Sequence, residues 1–393
     1  MNCAIIIERA DVALGGGERS VFELRAALSV LGVSVDILAA KGQTKGRHIH
    51  VLCGEQHGKR TSLRAFEKAI RKHLRENSYD IVHSTLPFRF ADVYQPRGGT
   101  FAESVRRHAA SYGNRLIRFY KLMTSFTNYR RETFLAAERR LCADPDGPVI
   151  AALSEYVRMQ FQKYYSVNSS RMVVIPNGVK IDRKVNHKEA RKIRSQICDK
   201  LRFKEADEPV TFLFVANNFR LKGLGPLIRA MAGLAVRQCS RPPYLLVAGN
   251  GSAGPYRKLA ARLNIAERIL FLGHIRYVQN VLAVVDVGIL PTFSDASSRF
   301  ILEALAMQKP VITTAFNGAT DLFTNNRHGI VVSNPRQINE LAEAMYHFTD
   351  SSNIDRAAGY IAQDKLTEQI SVTRHAKQLL DLYESLLSGK KQQ

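Results

Sequence analysis

Two carboxylates in the second half of the chain flank a short stretch of small, hydroxylated and basic residues. Asp295 and Glu303 lie eight positions apart in the segment FSDASSRFILEALA, with Ser297, Ser298 and Arg299 between them. The segment follows the apolar run VGILP, and its own apolar residues recur at helical spacing. The start of a helix offers backbone amides to phosphate or sugar oxygens, and carboxylates accept hydrogen bonds from vicinal hydroxyls. The pattern favours a site for a ligand rich in hydroxyls and phosphates.

A purely structural interpretation of the same segment stays open. Ser294 or Asp295 could cap the helix while Glu303 is exposed to water. Against this, Glu303 lies within the apolar run FILEALA, where an unpaired carboxylate would be costly.

Two further loops carry groups that suit an anion. The segment LGGGERS, residues 14–20, follows the first apolar run and opens a helix, so Gly15 and Gly16 present backbone amides at a helix start. The segment FRLKG follows the first strand of the second half, and its Arg220 and Lys222 could stabilise a leaving diphosphate. Each loop could instead be an unliganded turn or a solvated surface.

Other motifs are weaker. GNGSAG, residues 249–254, matches G-x-G-x-x-G, but the next strand, ILFLG, does not end in the acid that a dinucleotide site requires. A glycine turn is the better interpretation. Five scattered cysteines without C-x-x-C spacing favour a reducing compartment, and we find no pattern of metal ligands.

The elements that must position these loops alternate between strands and helices. One series begins with CAIIIE and a second begins with VTFLFVAN, which predicts an α/β fold with two parallel, doubly wound sheets. Ligands of such sheets bind beyond the carboxyl ends of the strands.

We predict an N-terminal domain over 1–175, a C-terminal domain over 176–375, and a last helix, 376–393, that packs back on the first domain. His83 ends a strand of the first series and could orient an acceptor; a hydrogen-bonded structural histidine is an equal alternative.

The chain is strongly basic, with a formal net charge of +22 among 393 residues. Residues 89–140 hold eleven lysines and arginines against four acids, interleaved with apolar residues. We expect a basic helical insertion over about 101–141 that contacts an anionic membrane surface. The alternative is an apolar face packed against its own domain. No apolar run is long enough for a membrane span or a signal peptide, which predicts a cytoplasmic protein held peripherally at the inner face of the membrane.

Together these motifs resemble a family. The run LEALAMQKPVI over 302–312, with an acid eight positions before Glu303, is similar to the E-x7-E region of retaining GT-B glycosyltransferases of family 4. VIPNGV, FLFVANNFRLKGLGPLIRAMA and LLVAGNGSAGPYRKLAARL resemble that family in order and spacing. Within it, GGGERSVFEL and DVYQPRGGTFAESV look most like enzymes that glucosylate lipopolysaccharide core heptose.

The resemblance implies two Rossmann-like domains that face a central cleft and a nucleotide-sugar donor, a UDP-sugar in our prediction, on the C-terminal domain. It assigns the ribose to Glu303, the donor sugar to Asp295, the diphosphate to Arg220 and Lys222, and the base to backbone near His274 and Ile275. The amides around Ser297, Ser298 and Arg299 would contact the sugar and diphosphate, and Gly15 and Gly16 would close from the N-terminal domain. No metal or cofactor is expected.

The resemblance also has departures. Asp295 stands where the family usually has glutamate, and Asn217 stands where many members have the phosphate-binding arginine.

The predicted enzyme is a retaining hexosyltransferase that adds glucose to a lipopolysaccharide core or related envelope glycan. The alternatives are an exopolysaccharide or glycolipid transferase with another donor, a sugar-nucleotide epimerase, and a basic nucleic-acid-binding protein. No nucleic-acid module is recognisable, so no nucleic-acid partner is expected.

Overall fold

A computed structural model describes residues 1–11, 15–44, 46–54, 61–182, 184–203 and 208–392, and the chain forms two compact units. The first unit comprises Met1–Ala109, Asn114–Lys180 and Ser371–Gln393, and the second comprises Ala110–Gly113 and Ile181–Ile370. The units therefore divide near, but not at, the predicted boundaries at 175/176 and 375/376. The short segment Ala110–Gly113 of the predicted insertion belongs to the second unit.

The described residues form thirteen strands in two sheets, and all neighbouring strands are parallel. The strands are β1 Asn2–Arg9, β2 Ser34–Lys41, β3 Ile49–Val51, β4 Ile81–Ser84, β5 Val93–Tyr94, β6 Val149–Ala152, β7 Met172–Val174, β8 Val210–Val215, β9 Pro243–Ala248, β10 Ile269–Gly273, β11 Val287–Leu290, β12 Val311–Thr314 and β13 Gly329–Val332.

Helices connect these strands. They are α1 Gly16–Val30, α2 Leu63–Glu76, α3 Phe101–Ala110, α4 Arg115–Met123, α5 Tyr129–Ala143, α6 Glu155–Tyr165, α7 His187–Leu201, α8 Leu224–Ala235, α9 Gly254–Arg262, α10 Val278–Leu282, α11 Arg299–Ala306, α12 Ile338–His347, α13 Ser351–Gln363, α14 Leu366–Gln369 and α15 Val372–Gln392. Short 3₁₀ helices span Ser125–Thr127, Ser169–Arg171, Ala266–Arg268 and Gly318–Leu322. In the described part of the chain, no helix is long and apolar enough to cross a bilayer.

Both sheets are doubly wound. Their strand orders are β3-β2-β1-β4-β5-β6-β7 and β10-β9-β8-β11-β12-β13. The winding direction reverses between β1 and β4 in the first sheet and between β8 and β11 in the second. At such a switch point the connections leave on opposite sides, so a crevice opens beyond the carboxyl ends of the two strands. The predicted α/β fold class with two parallel sheets is confirmed.

Strands β1 and β8 are interior strands of their sheets and are mostly apolar. Residues 3–7 of β1 and 210–214 of β8 are buried, as expected for parallel strands with helices on both faces. In the first unit, α15 was expected to pack back on this domain, and its Leu379 and Tyr383 lie in one core cluster with Leu24 of α1.

A buried carboxylate anchors the basic insertion. Glu138 of α5 is fully buried and accepts hydrogen bonds from the Phe101 backbone amide (2.8 Å) and from the hydroxyls of Tyr94 (2.9 Å) and Tyr165 (2.7 Å). Burial raises the pKa of Glu138 to about 7, although these hydrogen bonds oppose the shift. Since Phe101 begins α3, Glu138 ties the start of the insertion to α5.

We expect Glu138→Gln to change how stability depends on pH. In the folded protein Glu138 keeps its proton up to about pH 7, whereas an ordinary glutamate releases it near 4.5. The wild type should therefore lose unfolding free energy, on the order of 3 kcal/mol, as the pH rises from about 4.5 to about 7. Glutamine stays neutral and lacks this loss. Urea unfolding at pH 5 and pH 8 measures it, and equal pH dependence in both proteins would contradict the account.

Candidate active site

Lys222 and Asp295 meet at the switch point of the second sheet. Lys222 lies in the turn after β8 and Asp295 in the loop after β11, and these two strands are neighbours. The Nζ of Lys222 lies 2.6 Å from Oδ2 of Asp295 and donates a second hydrogen bond, of 2.9 Å, to the Ser294 carbonyl. Because the two side chains are only 21% and 18% exposed, water screens their attraction only in part. The structure thus brings these two predicted site residues together.

Helix α11 begins beside this ion pair without a side-chain cap. Its N-cap is Ser298, whose side chain makes no capping hydrogen bond, so neither Ser294 nor Asp295 takes the capping role. The hydroxyl of Ser297 is buried and has no hydrogen-bond partner among the described residues. An uncapped helix start carries partial positive charge, which suits an anionic ligand. We name residues 294–298 the switch-point loop.

One predicted contact in this loop needs correction. The backbone amide of Ser298 donates a 3.0 Å hydrogen bond to Oδ1 of Asn317, so it does not face a ligand. The amides that a helix leaves without intrahelical partners belong to its first turn, which starts here at Arg299. A ligand at this end would therefore meet the amides that follow Ser298.

Glu303 is paired rather than exposed. Its Oε1 accepts a 3.0 Å hydrogen bond from Nε of Arg299, one turn earlier on α11, and the two side chains are 13% and 10% exposed. This pairing explains how a carboxylate is tolerated within the apolar run. It also shows that the Arg299 side chain orients Glu303, whereas the sequence had pointed only to the Arg299 backbone.

Arg220 does not join the ion pair. Its guanidinium donates a 2.5 Å hydrogen bond to the Ser111 hydroxyl and lies 3.7 Å from the centre of the Tyr112 ring, all within the second unit. The physical reason is local: residues 219–223 form a turn in which the Lys222 amide bonds to the Asn218 carbonyl, and residues two apart in a helical turn point in different directions. The predicted diphosphate contact of Arg220 is therefore not supported by its position.

His83 belongs to the core of the first unit. Its ring is fully buried, and Nδ1 lies 2.5 Å from the hydroxyl of Tyr383 on α15. Burial, together with the nearby positive charge of Arg97, lowers the pKa of His83 to about 3, so the ring is neutral near pH 7. The structure favours the alternative of a hydrogen-bonded structural histidine, and we remove His83 from the candidate catalytic set.

Gly15 and Gly16 lie at the start of α1 in the first unit. Gly15 is the N-cap, with extended backbone and no side-chain cap, and Gly16 is the first helical residue. Leu14, which begins the loop quoted from the sequence, lies outside the described residues. Their backbone amides are placed at a helix start as expected, and their contact with a donor stays a prediction.

His274 and Ile275 line a pocket of about 280 Å³ in the second unit. They follow β10, and other walls of the pocket come from Gln196 and Lys200 of α7 and from Asn280 of α10. Because β10 belongs to the same sheet as β8, this pocket is a candidate for the base of a nucleotide. The sequence pointed to His274 and Ile275 but not to the wall that α7 provides.

The fold defines a class of protein. A crystal structure of WaaG, a glycosyltransferase involved in lipopolysaccharide biosynthesis, matches with a TM-score of 0.73 at 20% identity, over 97% of this chain and 99% of that chain. A crystal structure of Anabaena Alr3699/HepE in complex with UDP-glucose matches with a TM-score of 0.68 at 15% identity, over 98% and 100% of the two chains. The chain has the GT-B fold of these enzymes.

Sequence comparison gives the family. Residues 14–183 match the model of Glycosyltransferase Family 4, and residues 209–351 match that of Glycosyl transferases group 1. Lipopolysaccharide glucosyltransferase WaaG of Escherichia coli (strain K12) is 25% identical over 290 residues, which is 72% of each chain. The chain belongs to the family 4 glycosyltransferases, and the predicted family is confirmed.

A double-mutant cycle can measure the ion pair at the switch point. Lys222→Met leaves a largely buried carboxylate without its partner, and Asp295→Asn does the same to the ammonium group. We expect each single variant to lose roughly 1–3 kcal/mol of unfolding free energy and the double variant to lose less than their sum.

The exposed pair Arg237–Glu343 provides a control cycle, since its side chains are 38% and 59% exposed. Its coupling should be at most about 1 kcal/mol. Additive losses at Lys222 and Asp295 in urea unfolding would show that their contact contributes nothing.

Proposed function

We propose that this glycosyltransferase transfers glucose from UDP-glucose to a lipopolysaccharide core or a related envelope glycan, with retention of configuration and without a metal ion. WaaG of Escherichia coli is named a lipopolysaccharide glucosyltransferase, and Alr3699/HepE has been crystallised with UDP-glucose. The observation that carries the proposal is the uncapped start of α11 beside the Lys222–Asp295 pair.

The donor diphosphate would bind at the start of α11. The first-turn amides and the ammonium group of Lys222 supply positive charge there, and the buried Ser297 hydroxyl supplies a hydrogen bond. Glu303, held by Arg299, would accept hydrogen bonds from the ribose hydroxyls. The base would occupy the pocket at His274 and Ile275.

In the proposed transfer, stabilising the negative charge on the leaving UDP matters more than a side-chain base. The bond between the anomeric carbon and the diphosphate oxygen breaks, and its electron pair leaves with UDP. The acceptor oxygen forms the new bond on the same face, and its proton passes to the departing phosphate oxygen. Lys222 would stabilise the charge that develops on that phosphate. Asp295 would orient Lys222 and accept a hydrogen bond from a hydroxyl of the donor sugar.

A thermal-shift screen of UDP, GDP, ADP and their hexose derivatives tests donor binding. A ligand at a hundred times its dissociation constant adds about 2.7 kcal/mol to the stability of the folded state, a shift of several degrees. We expect UDP and UDP-glucose to raise the melting temperature of the wild type.

Glu303→Ala should abolish that rise without unfolding the protein. Glu343→Ala is the matched control, because Glu343 also pairs with an arginine but is exposed on another helix. Full UDP-glucose turnover in Glu303→Ala, or no shift of the wild type with any of these nucleotides, would refute the proposed site.

We further propose that α4 docks on the membrane that carries the acceptor. Helix α4 has no buried residue. Its apolar side chains Leu116, Phe119, Tyr120, Leu122 and Met123 are between 46% and 78% exposed, which is unusual for large apolar groups clustered on one short helix. An exposed apolar helix within a basic insertion suits the interface of an anionic bilayer.

In this proposal, the cations that contact lipid are those of α4 and not Arg107 of α3. Arg107 bonds to the buried Glu103 at 2.5 Å, so it serves the fold of α3. Arg115, Arg118 and Lys121 lie instead on α4 among the exposed apolar residues. The proposed location is the inner face of the cytoplasmic membrane.

Replacing Arg115, Arg118 and Lys121 by Gln should weaken binding to vesicles that contain phosphatidylglycerol. Each cation near an anionic surface contributes about 1 kcal/mol, so we expect a loss of at least tenfold in co-sedimentation. Replacement of Arg64, Lys68 and Lys72, exposed cations of α2, is the matched control and should change binding little. Equal losses in both triple variants would mean that net charge alone drives adsorption.

A further inference from the structure

Asn317 joins three segments of the second unit through one fully buried side chain. Its Oδ1 accepts hydrogen bonds from the Ser298 amide (3.0 Å) and from the Ala319 amide (3.1 Å). Its Nδ2 donates to Oγ1 of Thr313 at 2.9 Å. The side chain thus connects the switch-point loop, the 3₁₀ helix Gly318–Leu322 and the end of β12.

Only an amide satisfies all three neighbours. The Thr313 hydroxyl donates its own proton to the Leu290 carbonyl at 2.9 Å, so it can only accept from Asn317. The two backbone amides can only donate. Asparagine offers one acceptor oxygen and one donor nitrogen in the required places, whereas aspartate would face the Thr313 oxygen without a proton and leucine would leave the two buried backbone amides unpaired.

Backbone contacts on both sides of Asn317 hold the same loop. The Asp295 amide donates to the Phe316 carbonyl at 2.9 Å, and the Gly318 amide donates to the Asp295 carbonyl at 3.0 Å. Asp295 is also the residue whose side chain pairs with Lys222. The segment around Asn317 therefore fixes the backbone of Asp295 at one end of the loop and of Ser298 at the other.

We infer that Asn317 is a positioning residue of the donor site: it holds the switch-point loop so that Asp295 and the start of α11 face the donor diphosphate. The inference rests on the proposed function for the identity of the ligand. That Asn317 restrains the switch-point loop is independent of the proposed function, because the restraint can be measured in the ligand-free protein. Asn317 touches no donor atom in this account and acts through the loop.

The test combines amide hydrogen exchange with UDP binding. In Asn317→Ala, peptides covering 293–301 should exchange at least tenfold faster, and the dissociation constant for UDP measured by calorimetry should rise at least tenfold. Thr313→Val removes the hydroxyl that accepts from Nδ2 and donates to the Leu290 carbonyl, and it should change both in the same direction by less. It also keeps the inference testable if Asn317→Ala does not fold.

Asn325→Ala is the matched control, since Asn325 also accepts a backbone hydrogen bond, from Val331 at 2.8 Å, but outside the loop. It should leave exchange at 293–301 and UDP affinity unchanged. A uniform increase in exchange across the whole unit in Asn317→Ala, or none at 293–301, would overturn the inference.

Failure of the proposed function can be distinguished from failure of the inference about Asn317. If wild-type protein binds no UDP, GDP or ADP, the donor assignment fails and Asn317 is not a donor-site residue. If exchange at 293–301 accelerates while UDP affinity is unchanged, UDP binds but the loop does not position it, and the inference alone fails.

Discussion

The reversal of winding between β8 and β11 is the constraint on which the rest of the proposed donor site depends. It opens the carboxyl ends of two adjacent strands, and the turn after one strand and the loop after the other must then meet. Lys222 and Asp295 meet there as a partly buried ion pair, and α11 begins a few residues later. Its uncapped start and the Arg299–Glu303 pair extend the site along the helix. In our proposal, these groups supply positive charge for a diphosphate and hydrogen-bond acceptors for a ribose.

Much of this arrangement was predictable, because it depends on local signals. Apolar runs defined β8 and β11, the helical spacing of FILEALA defined α11, and the rule that ligands bind beyond strand ends directed attention to Lys222 and Asp295. The two-residue strand β5 and the helix α7 are harder to predict, since a strand of two residues has no period and α7 is a polar, basic segment. The burial of His83 against α15 was also open, because Tyr383 lies 300 residues away in sequence.

The roles of Arg220 and Asn317 show why the remainder could not be derived. Arg220 follows the right strand, yet the turn directs its side chain toward Tyr112. Asn317 precedes a glycine and looks like an ordinary turn residue, whose function depends on the hydrogen bonds of Ser298 and Thr313. The contacts of the basic residues in the insertion also could not be derived from the sequence. The excess of cations in the insertion was visible, but only the structure separates Arg107, bound to a buried acid, from the cations of α4.

The central claim is that the donor diphosphate binds between Lys222 and the start of α11. A crystal structure with UDP measures this most directly. We expect a diphosphate oxygen within hydrogen-bonding distance of Lys222 Nζ and of the first-turn amides of α11, with the ribose hydroxyls on Glu303 and the uracil in the pocket at His274 and Ile275. A diphosphate bound elsewhere, with no ribose hydroxyl on Glu303 and no nucleotide atom near Lys222, would contradict it.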